Sequence, residues 1–525
     1  MLSNWVSKFR FSKSKLNKPQ ENSPKVSTQK LSKDLAVNLQ GMKSIFHGTS
    51  DLIIREFKIG SQQQVKAFIM MISGLVAETS VNENLMKPLL FFSKDINKDN
   101  AINIVKESGL SVTNIKETLT IEETIDSVLS GDTALFIDGV STALIVSLRG
   151  WESRSVEEPK TEAVVRGPRE GFVESLGKNV TLIRRKIKNP NLKFEQMKIG
   201  RQTKTDVCIA YIKGIAHEKI VKEVRTRLSR IDTDAILESG YIESFIEDGA
   251  FSLFPTIGNS EKPDIVSAKI LEGRIAIITD GTPFVLTVPY LFIEAFQNSE
   301  DYYSRPFYSN FIRLLRWLGF FISTYIPALF VAITTYHQEL LPSPLLVSIA
   351  SAQEGTPFPT LAEALLMQIV YEILREAGVR LPRPVGQAVS IVGALVIGEA
   401  AVSAGLVGAP MVVVVALTAI SSFLVPALTD VNTIARFILL ILGGVAGLYG
   451  VMLGFIGFLV HQVSLRSFGI PYMSPLAPST FSDLKDVFIR APWWAMTTRP
   501  RLLSKNSVRL KPSLIPLPPE DDPNN

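Results

Sequence analysis

The chain has 525 residues, 46% hydrophobic and 20% charged, with 55 Lys and Arg against 50 Asp and Glu for a net charge of +5. That length allows two to four domains, and a slightly basic balance on so apolar a chain fits the flanks of a membrane protein better than a nucleic-acid surface. Cys208 is the single cysteine, which excludes an intrachain disulfide, and His47, His217, His337 and His461 are too dispersed for a metal motif.

Residues 1–50 read as a disordered, basic N-terminal tail. Its start, MLSNWVSKFRFSKSKLNK, carries scattered aromatics but lacks the apolar core of a signal peptide, so the module behind it is expected to stay cytoplasmic. Residues 51–313 read as a two-lobed α/β module with an internal repeat at an offset of 142: GDTALFIDGVSTALIV from Gly131 corresponds to GRIAIITDGTPFVLTV from Gly273. In each copy a Gly ends a helix, an apolar strand follows, Asp-Gly turns the chain and a second strand returns. Asp138-Gly139 and Asp280-Gly281 are therefore expected to be hairpin turns of type I′. Between the copies, Asp206 to Ile212 reads as a buried strand, His217 to Ile231 as an amphipathic helix, and Thr233 to Phe245 as a second helix. Two lobes offer either a ligand cleft or a rigid assembly platform, and both readings stay open.

Residues 314–466 read as an all-α membrane domain. Trp317 to Tyr336 holds no charge over twenty residues, enough to cross a hydrocarbon core of about 30 Å. Val385 to Ala404, Met411 to Leu428 and Phe437 to Val460 complete four strong spans. Arg305, Arg313 and Arg316 before the bundle and Arg466, Lys485 and Arg490 after it place both ends in the cytoplasm, with residues 467–525 as a cytoplasmic tail. Arg375, Arg380 and Arg383 disagree with that count. The segment 342–375 is expected to resolve the conflict either by adding a fifth crossing or, the favoured reading, as a partly embedded element, its Ser343 to Pro359 part broken by Glu354, Gly355 and two prolines and its Leu361 to Leu374 part helical.

Catalytic signatures are missing. GFVESLGKN from Gly171 departs from the phosphate-loop spacing, no nucleophile elbow or dinucleotide fingerprint occurs, and no enzyme or cofactor is expected. The chemistry lies in the apolar half: Glu399 sits inside a span, where a carboxylate costs roughly 2.5–3.5 kcal/mol unless it pairs, protonates or faces water. Val392, Val396, Glu399 and Ser403 share one helix face and are the pore-lining or gating candidates. Gly443, Gly447, Gly450 and Gly454 form two Gly-x-x-x-Gly spacings and are the helix-packing candidates, implying assembly.

Longer phrases carry a resemblance. EAVVRGPREGFVESLGKNVTLIRRKI from Glu162, TTYHQELLPSPLLVSIASAQEGTPFP, PVGQAVSIVGALVIGEAAVSAG, LRSFGIPYMSPLAP and DLKDVFIRAPWW resemble the GerA-type spore germination family, the A subunits of spore germinant receptors. The likeness covers about Asp51 to Pro500. It implies a receptor in the inner membrane of a dormant spore, with a transporter-like B subunit and a lipoprotein C subunit as partners. It also implies that A subunits homo-oligomerise in the lipid to form or gate an ion path opened by nutrients, without nucleic acid. A secondary transporter of a small solute and a non-conducting scaffold are the alternative readings.

Overall fold

Runs of aliphatic residues bounded by glycine turns set the strands of the first half. In this computed structural model the described residues are 29–59, 65–91, 101–106, 114–150, 159, 162, 164–380, 398–480, 482–506 and 508–509. Strands β1 (Leu52–Ile59) and β2 (Val65–Ile72) pair antiparallel from Leu52 opposite Ile72 to Ile59 opposite Val65. With β3 (Ile115–Thr118), β4 (Thr133–Ile137) and β5 (Ala143–Val146) they form a five-stranded sheet in the order β1-β2-β4-β5-β3. A second sheet repeats that order as β6-β7-β9-β10-β8, from β6 (Leu192–Ile199), β7 (Thr205–Ile212), β8 (Gly258–Ser260), β9 (Ile275–Thr279) and β10 (Val285–Val288). Every residue of β4, β5, β9 and β10 is buried, which is why these strands read as continuous apolar runs.

The two repeats share details below the level of topology. Helix α1 (Leu35–Ile45) opens the first and α3 (Leu176–Lys186) the second. In α1, Asn38 bonds the backbone of Ser32 in both directions, and in α3 Asn179 does the same to Val173. Helices α2 (Ile121–Leu129) and α6 (Pro263–Leu271) end at Gly131 and Gly273, at φ +96° and +104°, a left-handed position that suits glycine. At the hairpins only the glycines, Gly139 at φ +88° and Gly281 at φ +90°, are left-handed. A type I′ turn needs both central residues there, so the connections are longer turns than expected. Asp280 instead accepts the backbone N–H of Leu176, pinning the hairpin tip to the start of α3.

Both ends of the soluble module are corrected. The disordered tail assigned to residues 1–50 is already folded from Leu31: Leu31, Met42 and Phe46 are buried in the first core, and Leu35 and Leu39 pack against it. The spacing 35, 39, 42, 46 is one helical face, interrupted by enough polar residues to hide in an apolarity scan. At the other end, residues 467–509 are not a free tail. Phe468 enters the core of the second sheet, Tyr472 and Leu503 are buried, and Ser504 bridges Ala216.

The chain forms two compact units, residues 1–153 with 187–192, and residues 154–186 with 193–525. The second therefore contains the second sheet, a helical bundle and the C-terminal strap. The bundle starts with α7 (Pro306–Tyr336), whose Trp317 stacks on Phe296 at 3.7 Å between ring centroids. Helix α8 (Ser343–Glu354) occupies the stretch expected to be broken; Pro344 sits in its first turn, where a missing N–H costs nothing, and only 355–359 interrupts the helix. Helix α9 (Thr360–Arg380) then runs the length of the bundle, with Leu361 beside Gly444 at one end and Arg375 bonded to Thr433 towards the other. It is a continuous helix of 21 residues, and it carries Arg375 and Arg380 towards the end occupied by the second sheet.

Helices α10 (Ala409–Ser422) and α11 (Thr429–Ser464) complete the bundle. Among the described residues two stretches, Pro306–Tyr336 and Pro426–Ser464, are long and apolar enough to cross a membrane. The second is not straight. Gly447 breaks it at φ +61°, and contacts on α7 show what the break does. Thr324 bonds Asn432, Ala328 lies beside Gly443, and Tyr336 bonds the carbonyls of Gly444 and Val445, all in ascending order. Tyr325 meets Phe455 and Ala328 clusters with Val451, in descending order. The expected span Phe437 to Val460 is thus a helical hairpin. Its arms lie antiparallel, and Val431 and Phe458 return to one core at the second sheet.

Candidate functional site: a polar bundle interior and a charged junction

Helix α9 turns Glu363, Gln368, Glu372 and Arg375 towards its neighbours because their spacings of five, four and three keep them on one side. Opposite them, the first arm of α11 brings Arg436 to the centre of the bundle with its side chain 0% exposed. Its Nε donates to the Ser323 carbonyl at 2.8 Å and its Nη1 to Gln368 Oε1 at 2.8 Å, with Glu372 Oε1 at 3.5 Å. Arg375 pairs with Glu372 at 2.7 Å and donates to Thr433 at 3.1 Å. One turn away Asn432 links Ser323 and Thr324. Arg436 Nη2, Gln368 Nε2 and Glu363 Oε2 are buried without hydrogen-bond partners among the described residues. Ionisable groups held at such depth are costly and point to function by default.

The second cluster lies where the second sheet meets α7. Asp301 is buried and takes Arg313 through Nε and Nη2, at 3.1 and 3.0 Å, and Arg316 through Nη1 and Nη2, at 2.8 and 2.9 Å. Arg313 also donates to Asp486 Oδ1 at 2.8 Å, whose other oxygen accepts the Tyr302 hydroxyl at 2.8 Å. Burial pushes the Asp486 carboxyl above its ordinary range, opposed by Arg313 beside it. Arg490 covers the Tyr302 ring at 5.6 Å. A fork of two guanidiniums on one carboxylate is geometrically demanding, so it fixes the angle at which α7 leaves the lobe. Arg313 and Arg316 are therefore internal ties and not the solvated basic flank they resemble in sequence.

The other sequence candidates fall as follows. Val392 and Val396 lie outside the described residues. Glu399 and Ser403, on the described end 398–403 of their helix, are both exposed on the surface of the single chain. Gly443, Gly447, Gly450 and Gly454 serve the hairpin. A Cβ on Gly443 would stand 2.8 Å from the Ala328 carbonyl, one on Gly450 2.1 Å from the Leu442 carbonyl, and one on Gly454 2.6 Å from Leu439 Cδ2. These glycines pack helices of one chain together, where Gly-x-x-x-Gly spacing had suggested a seam with another subunit. Sequence reading missed Arg436 because it stands one residue before the apolar run and passed for a flank. The signal was the return of apolar residues on its N-terminal side, Val431, Ile434 and Ala435.

The described residues thus hold a repeated α/β module whose second sheet is tied by buried charge to an all-α bundle in which two stretches are long and apolar enough to cross a membrane. The chain belongs to the Bacillus/Clostridium GerA spore germination protein family, whose model matches residues 40–502. It is 51% identical over 477 residues to spore germination protein KA of Bacillus subtilis (strain 168), covering 90% of this chain and 88% of that protein. It is 45% identical over 479 residues, 91% of this chain and 93% of the other, to the uncharacterized membrane protein YfkQ of the same organism. Among solved structures, the N-terminal domain of the A subunit of the Bacillus megaterium spore germinant receptor GerK3 matches at 40% identity and a TM-score of 0.40, covering 51% of this chain and 98% of that one.

Proposed function

We propose that this chain is the A subunit of a nutrient germinant receptor in the spore inner membrane, coupling germinant sensing to ion release. Its partners are a transporter-like B subunit and a lipoprotein C subunit, and copies of the chain oligomerise to form or gate the ion path. The second sheet and the C-terminal strap, at one end of the bundle, face the spore core. The observation that carries this reading is the Asp301 fork: a lobe joined to α7 by buried paired charges transmits a tilt into the bundle, whereas a flexible linker would absorb it. Sensing elsewhere then biases closed and open states through their differing contacts. Glu399 and Ser403, exposed on one chain, face the path between subunits, with Val392 and Val396 continuing that face.

The test is made in spores. Val396→Ala and Glu399→Gln are expected to change ion release or spontaneous germination several-fold while the protein level stays constant. Normal germination by both variants excludes the pore-face assignment, and solute uptake by purified protein in liposomes without ion leak excludes the channel altogether.

A further inference from the structure

A cavity of about 370 Å³ lies within the second unit, between α6, the segment 297–303 that precedes α7, the 426–427 turn before α11, and the C-terminal strap at Trp493 and Arg509. Nine charged side chains line it. Eight hold hydrogen bonds: Arg274 and Arg509 with Glu272, Lys269 with Thr287, Arg274 with Glu294, Arg316 with Asp301, Glu162 with Ser260, and Asp264 with the Tyr303 hydroxyl. Lys262 does not. Its side chain is 0% exposed, its Nζ has no hydrogen-bond partner among the described residues, and the nearest opposite charge, Asp264 Oδ2, stands 3.9 Å away, with the Glu162 carboxylate also within electrostatic reach. The other Asp264 oxygen, Oδ1, is likewise buried and unpartnered.

An ammonium enclosed without an acceptor is among the least favourable arrangements a fold can keep. Lys262 is also the N-cap of α6 and gives its helix no side-chain bond, so local structure does not account for it. The five cationic side chains of the lining outnumber the four anionic ones, and the helix start adds positive potential. We infer that the cavity is a binding site for a small oxyanion that also carries a hydroxyl, its anionic oxygens accepting from Lys262 and its hydroxyl donating to Asp264 Oδ1. Ile265, Leu424, Pro426 and Trp493 supply apolar walls beside the charged groups.

The position gives the site a consequence. Its walls come from the second repeat, from Arg316 of α7, from the turn into α11 and from the strap, so an occupant that spans it touches the lobe, the bundle and the tail. Such a ligand stabilises whichever arrangement of these parts keeps the cavity closed. This inference stands without the receptor reading, because it is tested by binding and not by germination.

The experiment uses the full chain purified in lipid nanodiscs, titrated by equilibrium dialysis with inorganic phosphate in one arm and lactate in the other. Saturable binding of either probe is expected, and the arm that binds says whether the oxyanion is a phosphate or a hydroxy acid. Lys262→Met is expected to weaken binding at least tenfold, and Ile265→Trp, which fills the cavity without touching a charge, to abolish it. Without ligand, Lys262→Met is expected to unfold at the same temperature as the parent or higher, because it removes an unpaired buried charge; a lower temperature would make Lys262 a structural brace and overturn the site. Binding of neither probe, or equal binding by either variant, also overturns it.

Discussion

The two repeats share one sheet order and one set of turns, yet they are finished differently. The first core is closed by its own residues, from Leu31 to Leu148. The second borrows Phe468 for its sheet, and the neighbouring core joins Tyr290, Phe292 and Phe296 to Trp317, Val431, Tyr472 and Leu503. A duplicated module can therefore keep one copy self-contained and use the other as a mount, and the difference lies in what the second copy buries and not in its topology.

The charge pairs of the two repeats test this contrast most severely. Replacing Asp301 by Ala strands Arg313 and Arg316 in a buried setting and is expected to cost about 3–5 kcal/mol, seen as a large fall in the unfolding temperature of the full chain in detergent. A charge pair of the first repeat gives the contrast: Asp132→Ala removes a fork on Arg149, but that arginine is 45% exposed and solvent takes over much of its pairing. About 1 kcal/mol is expected there. Equal losses at the two sites would break the distinction between a closed repeat and a mounting one.

A smaller effect sharpens the account of the bundle. Gly443→Ala puts a methyl 2.8 Å from the Ala328 carbonyl and is expected to destabilise the hairpin by about 1–3 kcal/mol, while Gly457→Ala, with nothing within 4 Å, is expected to be neutral. Chemical cross-linking of each variant separates this reading from an intersubunit seam: if Gly443→Ala reduced the yield of oligomers without lowering the unfolding temperature, the glycine would belong to an interface.

The smallest effect concerns pH. Helix α5 (Ser239–Ile246) of the second repeat holds Glu243, whose carboxyl is pushed up from 4.5 to about 7 by burial and by the nearby Glu247 and Glu238. The folded state therefore keeps a proton that the unfolded state has released, so stability from this group is present below pH 4.5 and is lost as pH rises to about 7. Thermal unfolding followed across that window is expected to show a decline that Glu243→Gln flattens; an unchanged slope in the variant assigns the decline to other groups.

Much of this was legible in the chain. The recurrence at an offset of 142 reported both hairpins, because an apolar strand, an Asp-Gly pair and a second apolar strand need only local spacing to be recognised. The first apolar stretch announced a helix of membrane length, since composition alone measures burial in lipid or core. The hairpin at Gly447 was not legible: six glycines on an apolar helix look alike, and only the approach of Val451 to Ala328 shows which of them turns the chain. The role of Arg313 and Arg316 was hidden for the same reason, since a basic flank and a buried fork share one sequence and differ only in whether Asp301 and Asp486 stand opposite.

The amino-acid order by itself thus determined the elements, the duplication and the apolar character of the second half, all of which follow from periodicity and short-range turn chemistry. What the tertiary structure alone decided is where charge is neutralised. Asp301 and Asp486 are 185 residues apart in the chain and meet on one guanidinium, Arg313. Electrostatic pairing acts through space, at distances that no local pattern along the chain records.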